Sequence, residues 1–286
     1  MKTLAYLIDE IDKSKELIRF AALFAKDIKA NLHVLYVQYP HVYGTSSYMG
    51  ASGASVAGYP SQLQNIANEV KEKVAGFIKE IKTEHSVTSS IEFKSEIGAA
   101  PAIIKAKVEN NEYDMVMLQG QTEQSFWMQN STIMDIVRNV PCPVWIIPPD
   151  ARYQPLKRII YATDYNEEDI STLKSLIELT KPFEPDILAL HISDDDKFEI
   201  KLKSEGFAEI LNKKTGSNNI SLKLIADKEG TDAVEILVRE AEKAKANLLV
   251  VLKENRNFFE RLFKSSFTAE LVKSSQLPVL VFHKAN

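Results

Sequence analysis

The sequence predicts an α/β protein built twice: two tandem doubly wound, Rossmann-like domains, each around a five-stranded parallel sheet. Three observations predict it. Short apolar runs alternate with longer stretches that carry an apolar stripe at helical spacing. The runs are apolar nearly throughout, as in strands covered on both faces. The pattern also repeats in order. KTLAYLID, ending at Asp9, resembles KRIIYATD, ending at Asp164, 155 residues later. NLHVLYV resembles DILALHI at the same spacing of 155 residues, Val37 matching Ile192. SIEFKSEIG resembles SLKLIADKEG at a spacing of 132, Gly98 matching Gly230. YDMVML resembles NLLVVL, and PCPVWIIP resembles QLPVLVFH with Pro143 and Pro278 135 apart. Five matches in one order indicate duplication.

Each element of the first half follows from its residues. The strand Lys2 to Asp9 leads to a helix over Ser14 to Lys29, where Leu17, Ala21, Phe24 and Ile28 share one face. Asn31 to Val37 is the second strand. Pro40 to Pro60 has no counterpart in the second half and holds four of the ten glycines, so it reads as a surface loop or a lid. Ser61 to Lys82 follows as a helix with Leu63, Ala67, Val70, Val74, Phe77 and Ile81 in one stripe. After the third strand, Gly98 and Pro101 mark a turn and the first helical turn, with Ile103 and Ile104 behind them. The fourth strand, a short helix and the fifth strand, Val144 to Pro148, close the half.

The second half repeats the order, with helical stripes at Ile170, Leu173 and Ile177, at Phe207, Ile210 and Leu211, and at Ala233, Ile236 and Leu237. PPDARYQPLK, with three prolines, joins the halves as a short stiff linker between domains at 1–149 and 155–286.

Composition bounds the function. The 286 residues carry a net charge of −4, which offers no electrostatic footprint for nucleic acid. The apolar runs LHVLYV and LLVVL are far shorter than a membrane span, and MKTLAYLIDEIDKS does not read as a signal peptide. A single cysteine, Cys142, excludes an internal disulfide and suits a reducing, cytoplasmic setting. The five histidines are scattered without metal-ligand spacing. Neither a Ser–His–Asp order nor a paired-carboxylate site stands out.

Several residues together resemble a known family. Ile8-Asp9 and Ala162-Thr163-Asp164 end the first strands. Gly98 with Ile104, and Gly230 with Ile236, are each six apart. Asn130-Ser131-Thr132 leads to Pro141-Cys142-Pro143-Val144, and Ser265-Ser266 leads to Leu277-Pro278-Val279. Over nearly its whole length the chain is similar to a tandem universal stress protein. The resemblance implies a pseudo-dimer of two α/β units, each with its own sheet, whose fifth strands pair edge to edge. A homo-oligomer and an unidentified protein partner are compatible with it.

It also implies where a nucleotide would sit. Binding members carry G-x2-G-x9-G-[ST] after the fourth strand, because glycines let backbone N–H groups approach phosphate at a helix N-terminus. Their Asp ending the first strand and an apolar residue ending the second hold the adenine side. The matching first-half positions are Asp9, Val37, Gly120, Asn130 and Ser131. Here Gly120 is the sole glycine, and counting forward from Asp114 instead puts the first two glycine places at Gln119 and Thr122. In the second half the glycine places fall, by register from Asn247, on Leu252, Asn255 and Ser265.

The plainer readings stand beside these. Asp9 and Asp164 suit helix caps or turns, Ser131 and Ser266 suit caps, and Asp194 to Asp196 suits a solvated loop. An enzyme related to adenylating or amidating proteins would need a glycine- and serine-rich loop after the first strand. DEIDKS and TDYNEED lack it. The expectation is therefore a non-catalytic stress-response protein acting through assembly or partner contact, with no cofactor and no metal. An ATP sensor using the first domain is the alternative.

Overall fold

A computed structural model describes residues 2–8, 10–38, 59–120, 130–193, 198–216, 219–227, 231, 233–254 and 277–284, with backbone alone at 59–62, 130, 131 and 234. The first half runs β1 (Thr3–Ile8), a 3₁₀ turn, α1 (Lys15–Asp27), β2 (Asn31–Gln38), α2 (Tyr59–His85), β3 (Ile91–Ile97), α3 (Ala100–Glu109), β4 (Met115–Gln119), α4 (Asn130–Asn139) and β5 (Val144–Ile147). The second runs β6 (Arg158–Ala162), α5 (Glu167–Thr180), β7 (Asp186–Ser193), α6 (Phe198–Thr215), β8 (Ile220–Ala226), α7 (Ala233–Ala244), β9 (Leu248–Leu252) and β10 (Val279–Phe282).

The strand order is β3-β2-β1-β4-β5-β10-β9-β6-β7-β8. Each half is parallel internally, and β5 meets β10 antiparallel, Leu280 opposite Trp145. The halves therefore do not keep two separate sheets, as the sequence suggested. Pairing of the fifth strands makes one continuous sheet and covers two edges that would otherwise present unpaired backbone.

Helices cover both faces. Residues of α1, α2, α5 and α6 share one apolar cluster with one face of the sheet. Residues of α3, α4 and α7 share the other. Met115, Val116, Met117 and Leu118 of β4 are wholly buried, as are Leu248 to Leu252 of β9. Each such side chain contributes roughly 1.5–3 kcal/mol over exposure. This double burial explains why these strands read as unbroken apolar runs.

The duplication extends to backbone detail. The Asp114 carboxylate accepts the N–H groups of Lys2 and Thr3 at 2.7 and 2.8 Å. The Asn247 side-chain oxygen accepts those of Lys157 and Arg158 at 3.2 and 3.3 Å. Lys29 and Glu184 both take left-handed conformations, φ 55° and 48°, between the first helix and second strand of their halves. One repeat match needs correction. Leu32 pairs with Ile91, and Ile187 with Ile220, so the third strands stand 129 residues apart rather than 132. The Gly98 N–H bonds the Gln38 carbonyl, and it is the Asp227 N–H that bonds the Ser193 carbonyl. The added residues of the second half fall between β8 and α7. Gly230 lies outside the described residues.

Candidate functional site

In a doubly wound sheet the ligand edge lies beyond the carboxyl ends of the strands, where strand order reverses. In the first half that point is between β1 and β4. The order β2-β1-β4 brings Val37 and Gly120 to this same edge. Val37 is half-buried, in register with Glu96. Gly120 is buried just past β4. Asn130 and Ser131 open α4, and their side chains are not described. Asp9 lies outside the described residues, as do Asn255, Ser265, Ser266, the acidic run at 194–196 and most of the glycine-rich segment, residues 39–58.

The ends of β4 and β9 are equivalent. Leu4 pairs with Met115 and Ile159 with Leu248, so Gln119 corresponds to Leu252. Counted forward from Asp114 and Asn247 these are the first glycine places of the family's loop, and both are buried strand residues, at 1% and 0% exposure. The ladder continues one residue further in each half. The Gly120 N–H donates to the Ile147 carbonyl at 2.7 Å, and the Lys253 N–H to the Phe282 carbonyl at 2.9 Å. A phosphate at these positions would have to break a sheet bond. The rest of both loops, residues 121–129 and 255–276, lies outside the described residues.

Among the described residues of this edge, Gln119 is anomalous. Its side-chain amide is buried with neither nitrogen nor oxygen hydrogen-bonded. It stands beside Ile147 in register, one residue past the Leu7–Leu118 pair. An unpartnered buried amide costs about 1–3 kcal/mol and asks for an explanation.

At the equivalent edge of the second half the described side chains pack against one another. Tyr165, 4% exposed and left-handed at φ 56°, lies against the His191 ring at 4.6 Å and the Phe207 ring at 5.2 Å. Ser204 donates its hydroxyl to the Tyr165 oxygen at 3.2 Å. His191 Nδ1 is 2.7 Å from the Thr163 carbonyl, which accepts its proton, and 3.8 Å from the Asp164 carboxylate. Burial pushes the Asp164 carboxyl above its ordinary range, and Asp169 adds to this while His191 and Lys203 oppose it. Lys203 donates to the Asp164 carbonyl at 2.9 Å.

Asp169 builds this loop, and sequence reasoning passed it over. Its carboxylate, wholly buried, accepts from the Tyr161 hydroxyl at 2.7 Å and the Thr163 hydroxyl at 2.9 Å. It also accepts the N–H groups of Asp164 and Asn166 at 3.1 and 3.0 Å. The N-cap of α5 is Asn166, not Asp164, and Asn166-x-x-Asp169 is a capping box whose spacing was readable in the sequence. Beside a shared acid, burial holds the Tyr161 hydroxyl well above its ordinary pKa.

No group of three or more His, Cys, Asp or Glu suited to a metal occurs among the described residues. Cys142 is buried beside β5, and desolvation pushes its thiol up to about 12, which leaves it inert as a nucleophile. No helix among the described residues is long and apolar enough to cross a membrane.

Comparison with known proteins agrees with this architecture. A protein of Methanocaldococcus jannaschii described as a universal stress protein is 29% identical over 142 residues, 45% of this chain and 82% of its own. The crystal structure of a universal stress protein from Archaeoglobus fulgidus aligns with TM-score 0.67 at 15% identity, covering 99% of this chain and 97% of that one. A functionally unknown protein from Pseudomonas aeruginosa aligns with TM-score 0.56 at 15% identity, covering 99% and 93%. The two structural likenesses concern the fold. The family description "Universal stress protein family" matches residues 1–148 and again residues 155–283. The chain belongs to the universal stress protein family, as a tandem member with two such domains.

Proposed function

We propose that the protein is a non-catalytic, cytoplasmic stress-response protein that acts through contact with other proteins, with no nucleotide binding in its second half and weak or no binding in its first. One observation carries this reading: the backbone N–H groups after β4 and β9, where a phosphate loop would begin, are already bonded to Ile147 and Phe282. Buried Leu252 and the Tyr165 side chain at the ligand edge support it further for the second half. Isothermal titration of the full chain with ATP tests it. The expected outcome is no heat beyond dilution at up to about 1 mM ATP. A dissociation constant near 1 µM, about −8 kcal/mol, contradicts it.

A second reading, an adenine-nucleotide sensor using the first half, draws on the unpartnered Gln119 amide at the switch point. In that reading Asp9 and Val37 hold adenine while Gly120, Asn130 and Ser131 face phosphate. Gln119→Leu and Gly120→Val separate the readings. Both would abolish ATP heat if the sensor reading holds, and neither has an effect to make otherwise.

A further inference from the structure

We propose that a groove beside α5, over Pro143 and Phe282, is a docking site for an extended segment of a partner protein that carries an aromatic residue two positions before a proline. The inference deepens the partner-contact reading above and rests on it for its role. The groove has a volume of about 450 Å³ and is lined by Ile28, Pro143, Ser175, Leu179, Pro182 and Phe282. Most of this lining is apolar, and Lys174 and Glu178 add one charge of each sign to it.

The chain itself shows what such a groove accepts. The two halves are related by 155 residues through the first helices and by 135 through the fifth strands. By those offsets Ser175 corresponds to Phe20, Pro182 to Asp27, Pro143 to Pro278 and Phe282 to Ile147. The equivalent position in the first half is covered by the linker. Tyr153 packs edge-on against Phe20, ring centroids 5.4 Å apart, and its hydroxyl donates a hydrogen bond to the Asp27 carboxylate. Ala151 and Leu156 are buried beside it, at 8% and 3% exposure. A cavity of about 360 Å³ beside this linker is lined by Phe20 and Pro278, the counterparts of Ser175 and Pro143.

One groove of the pair is thus covered by the Tyr-Gln-Pro segment of the linker, and among the described residues its counterpart is uncovered. After β10 the backbone does not enter the open groove as far as Lys284, whose ammonium instead reaches Glu168 at the start of α5, 2.7 Å away. Where Tyr153 meets Phe20 and Asp27 in the first half, the open groove offers Ser175 and Pro182, with Leu179 in the same lining. Its lining offers one cation and one anion, which suits a segment that carries both signs, as DARYQPLK does. A proline in the occupant lowers the entropy lost on docking, because the segment is already extended.

The test uses the full chain and, as probe, a fluorescein-labelled peptide of residues 148–157, PPDARYQPLK. Anisotropy should rise to saturation with a dissociation constant below about 1 mM. Replacing the peptide tyrosine by alanine should weaken binding about tenfold or more, as for a buried aromatic anchor. Ser175 is exposed, so Ser175→Arg keeps the fold and should abolish the saturable rise. Ser175→Phe restores the ring edge that Tyr153 meets in the first half and should tighten binding roughly three- to tenfold. No saturable binding, or binding indifferent to Ser175→Arg, overturns the proposal. ATP heats read separately: their appearance would remove the nucleotide-free reading and leave the groove in place.

Discussion

Among single residues, Asp169 controls more of the site than any residue the sequence pattern picked out. It is wholly buried, and four donors converge on its two oxygens. Replacing it by asparagine turns one acceptor oxygen into a donor facing other donors. We expect Asp169→Asn to lower stability by at least about 2 kcal/mol, since hydrogen bonds to a charged acceptor and newly unsatisfied buried donors both contribute. A urea midpoint changed by the equivalent of less than about 0.5 kcal/mol would refute this role. Its first-half counterpart, 155 residues earlier, is Ser14, which is also wholly buried but donates its hydroxyl to the Glu10 carbonyl. The two halves therefore fasten the same turn with different chemistry. That difference is why a repeat comparison by residue identity overlooked it.

Elements were more legible than residues. The strands read correctly because both faces are buried, which leaves an apolar run that tolerates small errors of register. The third strands were less legible: β3 has Ile91 as its one buried residue, and β8 has none, its residues being half-buried or exposed. With so weak an apolar signal, matching Gly98 to Gly230 pulled the alignment three residues from the hydrogen-bonded register. The fifth strands hold a second lesson. PCPVWIIP and QLPVLVFH differ where it matters most, at Trp145 and Leu280, which face each other across the junction. Trp145 is 1% exposed, with Phe20 and Phe24 edge-on at 5.6 and 4.6 Å. Trp145→Ala should therefore cost about 3–5 kcal/mol in thermal or urea unfolding. Trp145→Phe should cost clearly less, because the indole N–H is buried without a hydrogen-bond partner and its loss removes a penalty. Equal losses for the two variants would show that ring packing is not what secures the junction.

For the whole molecule the question is how the halves are held together beyond the β5–β10 pair, and nothing in the sequence repeat addresses it. The second half caps a helix of the first. The His283 ring and the Lys253 ammonium reach the carbonyls of Val137 and Arg138, in the last turn of α4. A helix C-terminus presents unsatisfied carbonyls and a partial negative charge, so both donors are well placed there. Val137 can only accept, so His283 Nε2 carries a proton. Burial lowers the His283 pKa below its ordinary value, the Val137 and Cys142 carbonyls and Glu254 oppose the shift, and Lys253 reinforces it. The sign follows from the direction. Below pH about 6.5 the unfolded chain takes up the proton more readily than the folded one. This contribution is complete above that pH and is lost as pH falls from it toward the lowered folded value. His33, likewise lowered by burial, adds to the slope from β2. The junction should therefore weaken on mild acidification. His283→Asn, which keeps an N–H for Val137 without a titrating group, should flatten the fall of melting temperature between about pH 6.5 and 5, leaving the share of His33. If the variant and the parent lose stability in parallel over that range, His283 does not gate the contact between the halves.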